Sequence, residues 1–283
     1  MFPPNQAVAL VKPSTIGIFD SGLGGLSVLR AIRQALPGLA TSYLADSAHA
    51  PYGERSDNHV RERTLRIAQV LVDDGARLLV VACNTATAAA VGSLRERWPE
   101  LAIVGVEPGI KPALRESTSG RIGVMATEGT LRSERFQSLM QRELAAAERL
   151  LERPIRVHLQ PCPGLAAAIE TADLQDGGLR SLVDRFCEPL RRAEVDTVVL
   201  GCTHYPFVAP LIQAALGPQV RLVDTADAVA RQAAVRWVAT AQGPACAMAA
   251  AAVTYRTSGD PKRLHRAVSE WLGEAEPSIG AFS

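Results

Sequence analysis

The stretch LLVVACNT at residues 78–85 joins a continuous apolar run to a cysteine and two polar residues, and TVVLGCTH at residues 197–204 repeats that layout. Each stretch predicts a buried β-strand, with a helix that begins just beyond the cysteine. Strands that are apolar along their whole length are typical of parallel sheets, because helices cover both faces of such sheets. The repeat therefore predicts two similar half-units that face each other.

Short apolar runs alternate with helical spacing along the rest of the chain. Two helical faces stand out, one formed by Leu26, Leu29, Ile32 and Leu36 and the other by Val60, Ile67 and Leu71. Alternation of strands and helices predicts the α/β class with mainly parallel sheets. The further predicted strands are 16–19, 43–45, 103–106, 122–125, 157–159, 221–223 and 252–255.

Composition excludes several classes of protein. The 283 residues carry a formal net charge of +1, so no global field would recruit nucleic acid or an anionic membrane. No apolar run reaches the roughly 18 residues that a membrane helix needs, and residues 1–13 lack a signal-peptide pattern. We therefore expect a cytoplasmic protein with a flexible leader at 1–13, which binds neither nucleic acid nor membrane.

Five cysteines are scattered along the chain, at positions 83, 162, 187, 202 and 246. Their odd number, the missing export signal and the lack of a C-x-x-C pair argue against disulfides and a structural zinc site. Cys162, Cys187 and Cys246 are interpreted as inert buried thiols. Cys83 and Cys202 each lie at a strand end next to a helix N-terminus, where we expect a cysteine pKa lowered toward neutrality.

Polar residues follow five of the predicted strands, at the edge where parallel α/β sheets bind their ligands. Two thiols there can remove a proton from one face of an α-carbon and deliver a proton to the other face, which inverts the stereocentre. Asp20 is interpreted as a helper of one thiol and also as a helix cap, and His204 as the helper of the other thiol. The five strand ends carry Asp20-Ser21, Asp46, Cys83-Asn84-Thr85, Thr127 and Cys202-Thr203-His204.

The segment DSGLGG at 20–25 leads from a strand into a helix. Its glycine spacing does not fit a dinucleotide motif, whereas backbone amides at a helix start fit a carboxylate. Asn84, Thr85 and Thr203 are interpreted as further hydrogen-bonding groups for an amino-acid substrate. The three lysines match no Schiff-base signature, and the spacing of Cys202 and His204 matches no common zinc pattern. We therefore expect neither pyridoxal phosphate nor a metal as cofactor.

Five motifs in order resemble the bacterial glutamate racemase family, within the aspartate/glutamate racemase superfamily. They are DSGLGG at 20–25, PYGERS at 51–56, ACNTATA at 82–88, EPGIKPA at 107–113 and GCTHYP at 201–206. The resemblance implies two similar α/β domains related by a pseudo-twofold axis, with the active site between them. It implies a first domain formed by residues 14–107 plus 224–283 and a second formed by residues 108–223.

The resemblance also implies an activity, the interconversion of L- and D-glutamate without a cofactor, which supplies D-glutamate for peptidoglycan synthesis. A homodimer is the family-level expectation. Cys83 and Cys202 match the two acid/base cysteines of the family, and Asp20 and His204 match its supporting residues. The substrate contacts of the family match Ser21, Tyr52, Gly53, Asn84, Thr85 and Thr203. Glu170 resembles a family glutamate near the site. Thr127, Asp20 and His204 complete the expected substrate-binding set.

Two alternatives stay open. A racemase of the same superfamily that acts on aspartate or a related amino acid would use the same two thiols, whereas a decarboxylase of α-aryl acids would need one cysteine. A non-catalytic carboxylate-binding module on the same fold would need neither thiol.

Overall fold

The computed structural model describes residues 15–151, 154–173, 176–240 and 253–282. The predicted leader at 1–13 and Cys246 lie outside these residues. Within the described part of the chain, no helix combines the length and apolar character that crossing a bilayer requires. The described strands are β1 Thr15–Asp20, β2 Thr41–Ala45, β3 Ala76–Val81, β4 Ala102–Gly105, β5 Arg121–Ala126, β6 Arg156–Pro161, β7 Thr197–Gly201, β8 Arg221–Val223, β9 Val253–Thr257 and β10 Ile279–Ala281.

Helices connect these strands, as parallel pairing requires. The described α-helices are α1 Leu26–Ala35, α2 Asp57–Asp73, α3 Asn84–Arg97, α4 Ile110–Glu116, α5 Glu128–Arg132, α6 Glu134–Leu151, α7 Leu165–Thr171, α8 Gly177–Arg192, α9 Ala209–Leu216, α10 Ala226–Thr240 and α11 Pro261–Leu272. Short 3-10 helices lie at Ser47–His49, Tyr52–Glu54 and Tyr205–Val208.

The described strands form two sheets in which all pairs are parallel. The first sheet has the order β10-β9-β2-β1-β3-β4, and the second has the order β6-β5-β7-β8. The run β2-β1-β3-β4 and the run β6-β5-β7-β8 follow the same order when each is numbered along the chain. The predicted α/β class with two similar, mainly parallel units is confirmed.

Burial of β3 explains its continuous apolar sequence. Leu78 and Val80 pack in a core shared with α1 and α10, whereas Leu79 and Val81 pack on the opposite face in a core shared with α2 and α3. Successive side chains of a strand point to opposite faces, so a sheet covered on both sides needs apolar residues at every position. The strand β7 has the same double burial in the cores of the second sheet.

Most predicted elements agree with the structure. The two predicted helical faces are the buried faces of α1 and α2, although Leu36 lies just beyond the end of α1. The predicted strand at 252–255 corresponds to β9, which is Val253–Thr257, and residue 252 of the prediction lies outside the described residues. The sequence did not predict β10, because two of its three residues are glycine and alanine, which are depleted in strands.

The domain boundaries at 107/108 and 223/224 stay a prediction. The strand β4 of the first sheet ends at Gly105, and β8 of the second sheet ends at Val223. The helix α10 packs in a core of the first sheet together with Val104. The chain therefore returns to the first sheet directly after β8.

Hydrogen bonds to Asp196 connect the start of β7 to the segment that precedes β5. Its carboxylate accepts hydrogen bonds from the hydroxyls of Ser117 (2.7 Å) and Thr118 (3.0 Å) and from the amides of Thr118 (2.7 Å) and Ser119 (2.6 Å). Burial raises the pKa of Asp196, but these hydrogen bonds outweigh burial and hold the pKa well below its ordinary value of 3.8. The ionised carboxylate is therefore more stable in the folded chain than in the unfolded chain.

We expect Asp196→Asn to lower the free energy of unfolding by about 1–3 kcal/mol at neutral pH, because an amide is a poor substitute for an ionised acceptor of several donors. Since the folded-state pKa is lowered, this contribution is complete above about pH 4 and is lost as the pH falls through the folded-state pKa. Urea unfolding at about pH 7 and about pH 3 measures both effects. The control is Asp184→Asn, at an exposed position on α8; equal losses in the two variants would contradict the assignment.

Candidate active site

The carboxyl ends of β1, β3, β5 and β7 meet around one cavity of about 130 Å³. β1 and β3 belong to the first sheet and β5 and β7 to the second, so the cavity lies between the two sheets. All the site residues that the sequence predicted line this cavity, namely Asp20, Ser21, Tyr52, Gly53, Cys83, Asn84, Thr85, Thr127, Glu170, Cys202, Thr203 and His204.

The glycine-rich turn after β1 lies directly against side chains of the second sheet. A Cβ atom on Gly22 would overlap the carboxylate of Glu170, and one on Gly24 would overlap the ring of His204. A larger residue at either position would displace Glu170 or His204, so glycine at 22 and 24 keeps these two side chains in place.

The sequence predicted that the backbone amides of this turn bind a carboxylate of the ligand, but the amide of Leu23 has another partner. The amide of Leu23 donates to Oε1 of Glu170 at 2.7 Å, so it holds a carboxylate of the protein itself. The interpretation that these amides bind a substrate carboxylate is thus wrong for Leu23. Glu170 lies 147 positions further along the chain, and no local sequence pattern predicts its hydrogen bond with the amide of Leu23.

Asp20 ends β1 with its side chain fully buried. Its carboxylate accepts hydrogen bonds from the hydroxyl of Ser21 (2.9 Å), the amide of Gly22 (3.3 Å) and the hydroxyl of Thr203 (3.0 Å). Thr203 follows β7, so Asp20 joins the two sheets across the cavity. Its predicted second role as a helix cap is wrong, because α1 begins after Gly25. Burial raises the pKa of Asp20, although the charge of His204 opposes that effect.

Cys83 caps the N-terminus of α3 through its sulfur, which accepts a hydrogen bond from the amide of Ala86 at 3.4 Å. The hydroxyl of Ser21 lies 3.4 Å from the same sulfur, and Ser21 in turn donates to Asp20. Burial, with the carboxylate of Asp20 as a second cause, raises the pKa of Cys83 to about 12. The predicted lowering of this pKa is therefore wrong: the helix amide does favour the thiolate, but the loss of water outweighs it, and Cys83 is a thiol at neutral pH.

Cys202 has a different set of neighbours. Its sulfur lies 3.5 Å from Nδ1 of His204, and Nε2 of the same ring lies 2.6 Å from Oε1 of Glu170. The amide of Gly24 is also 3.1 Å from Nε2. Nε2 must carry a hydrogen to bind the carboxylate of Glu170, and a nitrogen with that hydrogen cannot also accept one from the amide of Gly24. Because the contact with Glu170 is the shorter of the two, it is the interaction that holds the ring.

The charges of His204 and Glu170 support each other. Burial lowers the pKa of His204, but the neighbouring Cys202 and Glu170 outweigh burial and raise it well above 6.5. Burial raises the pKa of Glu170, but His204 and the amide of Leu23 outweigh burial and lower it. Glu170 and His204 therefore form a buried ion pair, and the positive ring faces the sulfur of Cys202.

Neutral polar groups line the rest of the cavity. The hydroxyls of Thr85 and Thr127 lie 3.0 Å apart, and these residues come from different sheets. The side-chain amide of Asn84 donates weakly to the carbonyl of Val106 at 3.5 Å, while its Oδ1 is buried with no hydrogen-bond partner among the described residues. Asn84 therefore offers an acceptor for a donor bound in the cavity.

The turn that carries Tyr52 and Gly53 is held by a carboxylate for which the sequence suggested no role. Asp46 is fully buried and accepts hydrogen bonds from Tyr52 (2.6 Å), from two nitrogens of Arg63 (2.9 and 2.7 Å) and from Ser258 (2.8 Å). Burial raises the pKa of Asp46, but these hydrogen bonds outweigh burial and lower it. Asp46 was visible in the sequence as a polar strand end, but its partners are distant along the chain.

The cavity has further lining residues that the sequence did not single out. Arg263 lies in the first turn of α11, outside all the motifs. The others are Ser47, Ala50, Ala166, Ala167 and Thr171, and Pro51 of the PYGERS motif also lines the cavity. Among the described residues, no group of three histidine, cysteine or carboxylate side chains has a geometry that suits a metal ion.

Known proteins resemble the chain over nearly its full length. The family model for Asp/Glu/Hydantoin racemase matches residues 16–233. Glutamate racemase from Stutzerimonas stutzeri is 48% identical over 259 residues, which cover 92% of this chain and 94% of the relative. Glutamate racemase from Pseudomonas aeruginosa PAO1 is 44% identical over 270 residues, which cover 95% and 98%.

Solved structures agree with the fold. Glutamate racemase isoform RacE1 from Bacillus anthracis superposes with a TM-score of 0.81 at 29% identity, covering 96% of this chain and 98% of that chain. Escherichia coli glutamate racemase, in complex with L-glutamate and the activator UDP-MurNAc-ala, gives a TM-score of 0.80 at 29% identity, covering 96% and 99%. From the family match over most of its length, together with the identity to these relatives, the chain belongs to the Asp/Glu/hydantoin racemase family.

Proposed function

We propose that this racemase interconverts L- and D-glutamate by proton transfer between the substrate α-carbon and two cysteines, Cys83 and Cys202. The observation that carries the proposal is that both thiols line one cavity, each at the end of the third strand of its unit. The choice of glutamate rests on relatives that are 44–49% identical and are glutamate racemases.

In this mechanism the two thiols start in opposite protonation states. The ring of His204, held positive by Glu170, lies 3.5 Å from the sulfur of Cys202, whereas burial keeps Cys83 protonated. Cys202 removes the α-proton, the electron pair of the broken C–H bond stays on the α-carbon and its carboxylate, and Cys83 delivers its proton to the opposite face. The product then leaves with Cys202 protonated and Cys83 ionised, which is the starting state for the reverse reaction.

The neutral groups of the cavity suit a zwitterionic amino acid. The free Oδ1 of Asn84 accepts a hydrogen bond from the substrate ammonium, which also adds positive charge near Cys83 and so eases its ionisation. The hydroxyl of Thr85 donates to a substrate carboxylate, whereas the hydroxyls of Thr127 and Thr203 already donate to Thr130 and Asp20 and serve as acceptors for the substrate ammonium. The turn at Tyr52 and Gly53 closes that side of the cavity. Each proton has a donor and an acceptor within the chain, so the mechanism needs neither pyridoxal phosphate nor a metal.

The cellular role is part of the same proposal. D-glutamate made in this way supplies peptidoglycan synthesis, and that synthesis draws on the cytoplasmic pool in which we place the protein. A homodimer is proposed on the family resemblance alone.

The reaction is tested by proton NMR of chelator-treated protein with L-glutamate in D₂O and no added pyridoxal phosphate. We expect D-glutamate to form with deuterium at the α-position, because the delivering thiol exchanges its hydrogen with solvent. L-aspartate is the comparison substrate. Turnover of aspartate in place of glutamate would redirect the substrate assignment, and no turnover of either by folded, reduced protein would favour a carboxylate-binding module.

We expect Cys83→Ser and Cys202→Ser each to lower kcat by about 10²–10⁴-fold, the range for loss of a positioned acid or base. Cys187→Ala is the matched control, since Cys187 is a buried thiol of α8 that does not line the cavity. Initial rates from both enantiomers measure the effect. Near-normal turnover in either serine variant would contradict the two-thiol mechanism.

His204→Asn should affect the two directions unequally, because the thiol that His204 contacts is Cys202 and not Cys83. The equilibrium constant of racemisation is unity, so kcat/KM must fall equally for both enantiomers. The inequality is therefore expected in kcat and in the isotope effect of α-deuterated substrate, which should be larger in the direction in which Cys202 removes the proton. Identical changes in both quantities for both enantiomers would remove the assignment of His204 to one thiol.

A further inference from the structure

Tyr43 is a fully buried tyrosine in the middle of β2. It pairs with Ile18 of β1 and with Tyr255 of β9, and its ring meets the ring of Tyr255 edge to face, with 6.3 Å between the two centroids. Both tyrosines belong to the same core of the first sheet. Tyr43 does not line the active-site cavity, so it can influence the reaction only through residues that do.

The hydroxyl of Tyr43 reaches the glycine-rich turn after β1, where it donates to the carbonyl oxygen of Gly22 at 3.2 Å. Burial, followed by the charges of Asp20 and Glu170, raises the pKa of Tyr43 well above its ordinary value of 10.0, so the hydroxyl remains protonated. Gly22 is buried, and among the described residues Tyr43 supplies the hydrogen bond that its carbonyl accepts. Because a buried carbonyl without a donor is costly, this contact fixes the direction of the carbonyl.

The carbonyl of Gly22 and the amide of Leu23 belong to the same planar, trans peptide unit. The oxygen and the hydrogen of such a unit point in opposite directions, so the contact with Tyr43 also fixes the N–H. That N–H donates to Oε1 of Glu170 at 2.7 Å. A hydrogen bond to the oxygen polarises the unit as well, which makes its N–H a stronger donor. Tyr43 therefore acts on Glu170 through a single peptide unit.

Glu170 connects this peptide unit to one of the two thiols. Its Oε1 lies 2.6 Å from Nε2 of His204, and Nδ1 of the same ring lies 3.5 Å from the sulfur of Cys202. Burial raises the pKa of Glu170, but His204 and the amide of Leu23 outweigh burial and lower it. A weaker hydrogen bond from this amide makes the ionised Glu170 less stable, and a weaker charge on Glu170 lowers the pKa of His204.

The second thiol lies outside this chain of hydrogen bonds. Cys83 contacts the hydroxyl of Ser21, which donates to Asp20. The backbone amide that also donates to Asp20 is that of Gly22, and it belongs to the preceding peptide unit. The hydrogen bond from Tyr43 therefore acts on the surroundings of the other thiol more directly than on those of Cys83.

We propose that Tyr43 is a positioning residue for the reaction. Its hydroxyl holds the peptide unit 22–23 and thereby keeps the pair of Glu170 and His204 in place beside the thiol that His204 contacts. The inference rests on the proposed two-thiol racemisation and adds to it a residue that touches neither the substrate nor a thiol. It holds for any amino acid that the two thiols racemise.

The test compares Tyr43→Phe with Tyr255→Phe. Each change removes one hydroxyl from a buried tyrosine of the same core and keeps the ring. The hydroxyl of Tyr255 donates to Glu274 at 2.8 Å and not to the glycine-rich turn, so Tyr255→Phe is the matched control. We expect Tyr43→Phe to lower kcat about three- to tenfold in the direction in which Cys202 removes the proton and less than about twofold in the other, as for one lost hydrogen bond. Tyr255→Phe should change kcat less than about twofold in both directions.

The affected direction is identified independently by His204→Asn. Tyr43→Phe and His204→Asn should lower kcat more for the same enantiomer, and the isotope effect of α-deuterated substrate should rise in the same direction in both variants. The equilibrium constant of racemisation is unity, so kcat/KM falls equally for both enantiomers in each variant. A merely structural loss would lower kcat alike in the two directions.

Protonation of His204 gives a second readout. NMR of protein with isotope-labelled histidine rings follows its titration, and the spectrum of His204→Asn assigns the signal. The groups that act on this ring within the described chain are Cys202, Glu170, Asp20 and the amide of Gly24, with Arg263 acting on Glu170. Tyr43→Phe keeps all of these groups and weakens the donor to Glu170, so we expect the titration midpoint of His204 to fall by about half to one pH unit. Tyr255→Phe should leave the midpoint unchanged.

A double-mutant cycle with Glu170→Gln separates action through Glu170 from a general effect on the core. Because the proposed effect passes through Glu170, Tyr43→Phe should lower kcat less than about twofold further when Glu170→Gln is already present. Thermal unfolding of the two phenylalanine variants checks that both fold.

Two results would overturn the inference: losses in kcat that are additive in the double-mutant cycle, or equal changes of kcat in both directions with an unmoved titration of His204. Failure of the proposed function itself looks different. A wild-type protein that racemises neither glutamate nor aspartate would contradict that function and this inference together. An active wild type in which Tyr43→Phe and Tyr255→Phe behave alike would overturn this inference alone.

Discussion

Parallel pairing of the strands within two sheets of the same order is the constraint on which the site depends. In a parallel sheet all carboxyl ends lie at one edge, and here the edges of both sheets border the same cavity. Because β3 and β7 hold the same place in the two orders, the cysteines that follow them reach the cavity from opposite sheets. The arrangement needs no special loop: each cysteine is the residue at which a buried strand ends and a helix or turn begins.

Cys83 and Cys202 occupy equivalent positions in the two sheets, but their electrostatic surroundings differ. Cys83 has the neutral hydroxyl of Ser21 between itself and Asp20, and its burial outweighs the helix amide that favours its thiolate. Cys202 faces His204, whose charge is held by Glu170. A reaction that takes a proton on one side and gives one on the other requires partners in opposite protonation states. The proposed two-thiol reaction therefore depends on the asymmetry of the two surroundings, which arises although the two sheets have the same strand order.

Much of this site could be predicted from the sequence, because strand ends such as Val81-Ala82-Cys83 are local patterns. The features that were missed depend on tertiary structure. The raised pKa of Cys83 follows from its burial, which a helix-terminus argument does not include. The partners of Asp46 lie as far away as Ser258, 212 positions along the chain. Arg263 is one of many arginines on helix surfaces, and only the fold shows that it borders the cavity.

The hydrogen bonds that join the two sheets at the cavity also set its charges. The amide of Leu23 and the ring of His204 both bind Glu170, and Thr203 donates to Asp20. Separating the two sheets at this edge would take the amide of Leu23 from Glu170 and the hydroxyl of Thr203 from Asp20. Both losses disfavour the ionised carboxylates, and a weaker charge on Glu170 lowers the pKa of His204. The charges of Glu170 and His204 are thus coupled to the closeness of the two sheets. A side chain at position 22 would displace the carboxylate of Glu170, and one at position 24 would displace the ring of His204.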